Sequence, residues 1–377
     1  MFLLIVFGME ILQNLLRRYD FRMEKTARNS NIELLRIILM FMVILLHFNN
    51  SEMGGAFNYV ENKPLNSFIL YFLESLSICA VNCFMIISGY FLAYNKSVKF
   101  SKILDLLFIV VLYKLFDFAL SIILGLKSFS IKSFVACFIP SNYFAIFYII
   151  TYIFSPFIVI VFDNISKKLQ NTFLILLLFI FVCLPTFIDI IGNIGINLNS
   201  ISPISTNGNG AGYTVVQFLI MLIVGMYLRR NEIKGNLFVL LSIYIISSLI
   251  MTFFIKHFSS LYNYCSMFTV INAVCLFLLF NRLQFASKII NFISKSVFSI
   301  YCLHVGFSMN ELWKKYCIKS LLIGGGIIEE LLCIVFSVSL MFIICLLIDI
   351  IMQSTVIRCK NKYFTKLSNL FSIEGYN

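Results

Sequence analysis

With 377 residues, of which 60% are hydrophobic and 12% charged, the chain is too apolar for a soluble domain, where the fractions are roughly 45–50% and about 25%. The hydrophobic residues include 42 Phe, whereas Gly and Pro are few. This composition excludes disordered and collagen-like chains. The net charge of +12 comes from short basic clusters between apolar runs, a pattern of membrane loops and not of a nucleic-acid surface. We predict an all-α integral membrane protein that has no nucleic-acid partner and contacts membrane lipid.

The first 28 residues do not resemble a cleaved secretion signal. No basic region precedes the apolar segment Met1–Leu16, and no small-residue cleavage site follows it. This segment is also shorter than the roughly 20 residues that a membrane helix needs. Two interpretations stay open for residues 1–28: an interfacial helix, or a translation start placed too far upstream, with Met9 or Met23 as the true start.

Apolar runs long enough to cross a bilayer begin after residue 28. They predict ten transmembrane helices, near residues 32–49, 66–94, 103–125, 143–162, 171–192, 213–228, 236–255, 264–281, 289–308 and 328–351. The second run is too long for one straight helix, and its polar middle predicts a tilt or a break. Because Lys and Arg are concentrated in alternate loops, both termini are predicted to be cytoplasmic.

The predicted helices form one domain. Residues 29–352 are expected to make a single transmembrane unit, and residues 353–377 a basic cytoplasmic tail. The longest predicted outer loop, Asn193–Gly212, is too short to fold alone. We therefore expect a multi-pass membrane protein without a second domain.

The first predicted helix carries the strongest functional signal. An ionisable residue at membrane depth costs at least ~2.5–3.5 kcal/mol, so Arg36 and His47 are candidate site residues. On an α-helix they share one face, about 16 Å apart. An acyl-CoA has phosphates, which Arg binds well, at one end, and at the other a thioester, where a neutral His can take a hydroxyl proton. Glu33, one turn before Arg36, is expected to hold the guanidinium. A snorkelling Arg with an interfacial His fits the same spacing.

Four stretches of the sequence resemble the membrane-bound acyltransferase family 3. The run NIELLRIILMFMVILLHF has the family's pattern of an Arg, ten residues and a His, and VNCFMIISGYFL resembles its Phe-rich segment that ends in Ser-Gly. The run NYFAIFYIITYIFSPF resembles its aromatic helix ending in Ser-Pro, and KIINFISKSVFSIYCLHV resembles its late helix with a Tyr and a His. The resemblance extends from about residue 29 to about residue 352.

This resemblance implies an enzyme of the bacterial plasma membrane. It would transfer an acyl group, most often acetyl, from cytoplasmic acyl-CoA to a hydroxyl of a cell-surface or exported polysaccharide, with acyl-CoA as co-substrate and no bound cofactor. By resemblance His47 is the catalytic residue and Arg36 the acyl-CoA contact. Where the family often has an Arg-x-x-Arg pair, this chain has Lys96, Lys99 and Lys102 at the same three-residue step, and lysines contact phosphate as point charges. Phe144 stands where relatives often have Trp.

Other polar residues have two interpretations each. Tyr148 and Tyr152 share a helical face and either line an acceptor groove or hydrogen-bond the histidine side of the site, or else belong to an interfacial belt. Ser88, with the glycine after it, allows either close ligand approach or close helix packing. His304 is a contact for the acceptor, a partner for Glu74, or a buried packing residue.

The alternatives to an acyltransferase have weaker support. A transporter or flippase for a glycan or lipid-linked substrate would also have many apolar helices, but we would expect interrupted helices in matching positions of two halves. The sequence shows one such interruption. Lys114 and Asp117, three residues apart, are predicted to pair with each other. No metal site is predicted, because the three His lie on different helices without a carboxylate at matching spacing.

Overall fold

The computed structural model describes residues 29–60, 62–193, 195–196, 212–316 and 325–357. Within these residues the chain is helical and has no strand. The predictions for the N-terminal extension, for most of the long outer loop and for most of the basic tail lie outside the described residues. They stay predictions.

The helices of the first half are α1 (Ser30–Asn49), α2 (Ala56–Val60), α3 (Pro64–Ser77), α4 (Ala80–Leu92), α5 (Phe100–Ile123), α6 (Ile131–Ala136), α7 (Tyr143–Asn164), α8 (Lys167–Leu178) and α9 (Leu184–Asn193). Those of the second half are α10 (Val215–Arg230), α11 (Leu237–Phe254), α12 (Met267–Asn281), α13 (Lys288–Ile293), α14 (Val297–His304), α15 (Phe307–Tyr316) and α16 (Ile327–Met352). A π-helical turn, Phe179–Cys183, joins α8 to α9, and a 3₁₀ turn, Ser294–Ser296, joins α13 to α14.

The number of membrane-length helices is smaller than the ten that the sequence predicts. Among the described residues eight spans are long and apolar enough, or nine if the α13–α14 segment and α15, bent by 79° to each other, count as one. The remaining predicted span is α10, which has 16 residues and is buried along most of its length. Each predicted run is helical, so the all-α polytopic fold is confirmed. The difference arises because α10 measures about 24 Å, less than the hydrocarbon core of a bilayer.

The second apolar run is broken where its sequence is most polar. Helix α3 ends at Ser77 and α4 begins at Ala80, with a two-residue turn between them. Asn82, in the first turn of α4, donates from Nδ2 to the carbonyl oxygen of Tyr264 at 2.7 Å. Because this polar group is satisfied by protein and not by lipid, the predicted break is tolerated at membrane depth.

Helices α4 and α10 cross in close backbone contact. A Cβ atom added at Gly89 would lie 1.9 Å from the carbonyl oxygen of Leu222, and one added at Gly225 would lie 2.1 Å from that of Ile86. Small residues allow backbones of membrane helices to approach this closely. Gly89 therefore serves helix packing and not ligand approach.

Helix α1 lies inside the bundle and is contacted by α3, α4, α12, α13, α14 and α16. Its apolar residues Ile32, Leu35, Leu39 and Ile44 are fully buried. Any polar side chain on the remaining face of α1 is thereby held against neighbouring helices.

The predicted pair of Lys114 and Asp117 is wrong, because each side chain has partners on another element. The Lys114 Nζ donates to the carbonyl oxygens of Ala136 and Ile139, at 3.1 and 2.7 Å. The Asp117 carboxylate accepts from the backbone N–H of Ser308 at 2.8 Å. Since Ser308 is in the first turn of α15, Asp117 caps that helix from outside it.

Candidate functional site

A cavity of about 470 Å³ lies between α1, α4, α5, α7 and the α13–α14 segment. Its size is that of a small-molecule site. One part of its wall is aromatic and includes Phe84, Phe144, Phe298 and Tyr301. Another part is charged, so the cavity combines a long apolar surface with a few polar groups.

Helix α1 contributes one continuous stripe of side chains to this region. Arg36, Met40 and Val43 line the cavity, and steps of three and four residues keep them on one face of the helix. His47 is the next residue of the same stripe, about 6 Å further along the axis. It is not among the lining residues, so the cavity has a cationic end at Arg36 and ends one helical turn before His47.

The guanidinium of Arg36 is held by neighbouring groups on one side and is accessible to a ligand on the other. Its Nη1 donates to both carboxylate oxygens of Glu33, at 3.2 and 3.3 Å, and its guanidinium lies 5.7 Å from the centre of the Phe91 ring. Glu33 is buried, whereas the Arg36 side chain is one-third exposed. The expected support of Arg36 by Glu33 is present in this geometry, and guanidinium hydrogens remain for a ligand.

The three basic residues after α4 lie in different environments. Lys102 lines the cavity, with its Nζ 5.7 Å from the centre of the Tyr152 ring. The side chain of Lys99 is exposed and does not line the cavity, although its backbone N–H donates to the Tyr152 hydroxyl at 3.0 Å. Lys96 pairs with Asp163 at 2.7 Å. Lys102 is therefore the one of the three that faces the cavity.

Two charged lining residues did not emerge from the sequence. Lys295, in the 3₁₀ turn between α13 and α14, and Asp105, one turn after Lys102 on α5, both line the cavity. Lys295 is about 260 residues from Arg36 in the sequence, and no local pattern connects the two. With Arg36 and Lys102 they give the cavity wall three cations and one carboxylate, a balance that favours an anionic ligand.

The predicted polar residues of α4 and α7 also meet here. Ser88, Tyr148 and Tyr152 line the cavity, and the two tyrosine rings are parallel to within 4°, with centroids 6.3 Å apart. Both therefore belong to the wall of an internal site and not to an interfacial belt. Phe144, on the same helix, packs against Tyr301 with ring centroids 5.4 Å apart, and as a Phe it offers no hydrogen bond.

The two histidines of α1 and α14 are hydrogen-bonded to each other. The distance from His47 Nδ1 to His304 Nε2 is 2.7 Å, and the rings are stacked with centroids 4.9 Å apart. His304 Nδ1 lies 2.8 Å from the carbonyl oxygen of Ile300. The Tyr301 ring, which lines the cavity, is 5.8 Å from the His304 ring, so an aromatic contact connects the cavity wall to the histidine pair.

His304 does not pair with Glu74, the partner that the sequence analysis considered for it. Glu74 Oε2 accepts a hydrogen bond from Asn49 Nδ2 at 2.7 Å, and His304 contacts His47 instead. The reason is that α14 packs against α1 and ends at His304, close to the third-last residue of α1. Sequence spacing within one helix cannot reveal a contact between two.

Comparison with known proteins adds one finding. A family model for the acyltransferase domain of type 3 matches residues 29–350. Searches of curated proteins and of solved structures give no match for the chain. The matched residues include every candidate side chain described above, and the match favours an enzyme over a transporter or flippase.

Proposed function

Since the chain belongs to the acyltransferase 3 family and is a polytopic membrane acyltransferase, we propose that its donor is acyl-CoA and its acceptor a polysaccharide hydroxyl. The proposed acyl group is acetyl, and the polysaccharide is one at the cell surface or on its way there. The Lys and Arg bias of the loops supports cytoplasmic termini, and we place the protein in a bacterial plasma membrane.

One observation carries this proposal. The stripe of Arg36, Met40, Val43 and His47 extends from a cationic cavity to a histidine over about 16 Å. An acyl-CoA is a long molecule with anionic phosphates at one end and a reactive thioester at the other. A neutral or short anionic substrate would not need both ends of this stripe.

In the proposed complex the phosphates bind at the cationic end of the cavity. Arg36 supplies two-pronged hydrogen bonds, and Lys102 and Lys295 add point charges. The aromatic wall formed by Phe144 and Tyr301 contacts the pantetheine arm, which has few charges. Lys99, which is exposed, assists from outside the cavity as a long-range positive charge.

At the other end His47 meets the acyl group. In one mechanism it removes the proton from the acceptor hydroxyl while the oxygen bonds to the acyl carbon and the carbon–sulfur bond breaks. In the other it first carries the acyl group itself and then passes it to the hydroxyl. Both mechanisms need a neutral imidazole at the start.

The test measures transfer of radiolabelled acetyl from acetyl-CoA into ester-linked polysaccharide in membrane vesicles. We expect His47→Ala to lower the rate by about 10²- to 10⁴-fold, the usual contribution of a general base. Arg36→Ala should raise the KM for acetyl-CoA by about 10- to 150-fold, because charged hydrogen bonds are worth about 1.5–3 kcal/mol.

Matched controls are available in the chain. His257 and Lys168 are exposed and do not line the cavity, so His257→Ala and Lys168→Ala should transfer acetyl at the normal rate. All variants are compared at equal amounts of monodisperse protein. Normal turnover of His47→Ala would remove this residue from the chemistry, and an unchanged KM in Arg36→Ala would remove acyl-CoA from the cavity.

A further inference from the structure

The hydrogen bonds around the histidine pair determine where the ring protons are. His304 Nδ1 lies 2.8 Å from the carbonyl oxygen of Ile300, and a carbonyl oxygen can only accept. His304 Nδ1 must therefore carry a hydrogen. This assignment follows from the chemistry of the partner and needs no observed proton.

The second nitrogen of His304 follows from its burial. The side chain is fully buried in the bundle, where an isolated cationic ring is very costly. A neutral ring with a hydrogen on Nδ1 has a bare Nε2, which can only accept. Since that atom is 2.7 Å from His47 Nδ1, the hydrogen between the two rings belongs to His47.

His47 is thereby left with one possible basic atom. Its Nδ1 carries the hydrogen donated to His304, so the lone pair of a neutral His47 is on Nε2. The stacked rings, with an angle of 29° between their planes, limit rotation of His47 about its side-chain bonds. Unlike His304, His47 is partly exposed, as a reacting group must be.

We propose that His304 is a positioning residue that holds His47 in the Nδ1–H tautomer, so that Nε2 is the reacting atom. The use of Nε2 in acyl transfer rests on the proposed function, whereas the tautomer is a property of the resting protein. The carbonyl of Ile300 fixes His304, and His304 fixes His47.

The proton balance of both mechanisms agrees with this arrangement. As a base, Nε2 takes the hydroxyl proton while the acceptor oxygen bonds to the acyl carbon, and it then gives that proton to the departing CoA thiolate. As a carrier, Nε2 bonds to the acyl carbon and releases the thiolate, and the hydrogen bond from His47 Nδ1–H to the bare Nε2 of His304 stabilises the positive charge of the acylated ring. The incoming hydroxyl then supplies the proton that the thiolate takes, and the pair returns to its starting form.

The decisive experiment is nitrogen-15 NMR of the full-length protein, labelled at histidine and reconstituted in phospholipid vesicles. The chain has three histidines, so the spectrum is simple, and His257→Gln assigns the exposed one. We expect both His47 and His304 as Nδ1–H tautomers, although a free imidazole favours Nε2–H. In His304→Leu the His47 signals should move to the Nε2–H pattern.

An Nε2–H tautomer or a doubly protonated ring at His47 in the wild-type protein would overturn the proposal, whether or not acetyl transfer is found. Failure of the proposed function would instead appear as absent transfer with the expected tautomers. The wild-type spectrum decides the question even where His304→Leu does not fold.

Kinetics provide a second readout. His304→Leu should lower kcat by about 100-fold, the cost of a misplaced reacting group, with the KM for acetyl-CoA unchanged. His304→Gln keeps an oxygen that can accept a hydrogen bond from His47 Nδ1–H, so its kcat should be at least tenfold higher than that of His304→Leu. Equal kcat values for the Leu and Gln variants would indicate a packing role and contradict the proposal.

Discussion

The crossing of α4 and α10 allows a quantitative prediction about the bundle. In Gly89→Ala the added Cβ would lie 1.9 Å from the carbonyl oxygen of Leu222. Since Cβ atoms in proteins essentially never approach another atom more closely than 3.0 Å, the two must separate by at least 1.1 Å. In Gly225→Ala the distance to the carbonyl oxygen of Ile86 is 2.1 Å, which requires a shift of at least 0.9 Å. Both obstacles are backbone atoms, so no side chain can rotate away and the helices themselves must separate.

The expected cost is near the upper end for overpacking, about 3 kcal/mol for each substitution. With an unfolding entropy of roughly 2 cal/mol/K per residue, this lowers the apparent Tm by roughly 4 °C. Because both contacts lie in the same crossing, the double variant should cost clearly less than the two single costs added together, since one separation serves both. Ser88 and Phe84, which line the cavity from α4, move with the helix, so acetyl transfer should also fall in Gly89→Ala.

The assay is the temperature at which half of the purified protein remains monodisperse after heating in detergent. Gly192→Ala is the matched control, because this helical glycine has no atom within 4 Å of an added Cβ. There the gain in helix propensity, about 1 kcal/mol, leaves the apparent Tm unchanged or slightly raised. If Gly89→Ala is as stable as Gly192→Ala, or if the two substitutions at the crossing are additive, the close approach of α4 and α10 is refuted.

Two further predictions concern charged side chains. Lys295→Ala should raise the KM for acetyl-CoA by up to about fivefold without changing kcat, since an exposed ionic contact is worth at most about 1 kcal/mol; an unchanged KM in initial-rate measurements would exclude Lys295 from donor binding. Asp117→Ala should speed hydrogen exchange of the first amides of α15, because a lost helix cap costs about 1–2 kcal/mol. Lys114→Ala, which removes no contact to α15, should leave that exchange as it is.

The parts of the fold that depend on local pattern could be predicted from the sequence. Each apolar run is helical, and the break after Ser77 falls in the polar middle of the second run. The contact of Arg36 with Glu33 follows from their spacing on one helix. These features require no knowledge of neighbouring helices, which is why sequence alone was sufficient.

What the sequence missed depends on contacts between helices. Lys114 and Asp117 have the spacing of a pair, yet Asp117 binds the start of α15 because three-dimensional packing brings that helix end to it. Lys295 reaches the cavity through a turn that no periodicity identifies. The sequence also predicted α10 as a full transmembrane span, although this helix is shorter than the thickness of the bilayer. A helix enclosed by other helices need not match that thickness.

The position of the histidine pair along α1 bears on how two substrates from opposite sides could meet. Helix α1 spans about 30 Å, with Arg36 roughly 9 Å from its first residue and His47 roughly 3 Å from its last. A donor bound by its phosphates at Arg36 would therefore extend most of the way along the helix before its acyl group reached His47. An acceptor hydroxyl on the other side would have to enter by roughly 3 Å, less than one helical turn. Under the proposed function, this asymmetry would let a long donor and a bulky acceptor share one site, because the length of the donor would bring the acyl group to the far end of α1 and only the acceptor hydroxyl would have to enter the bundle.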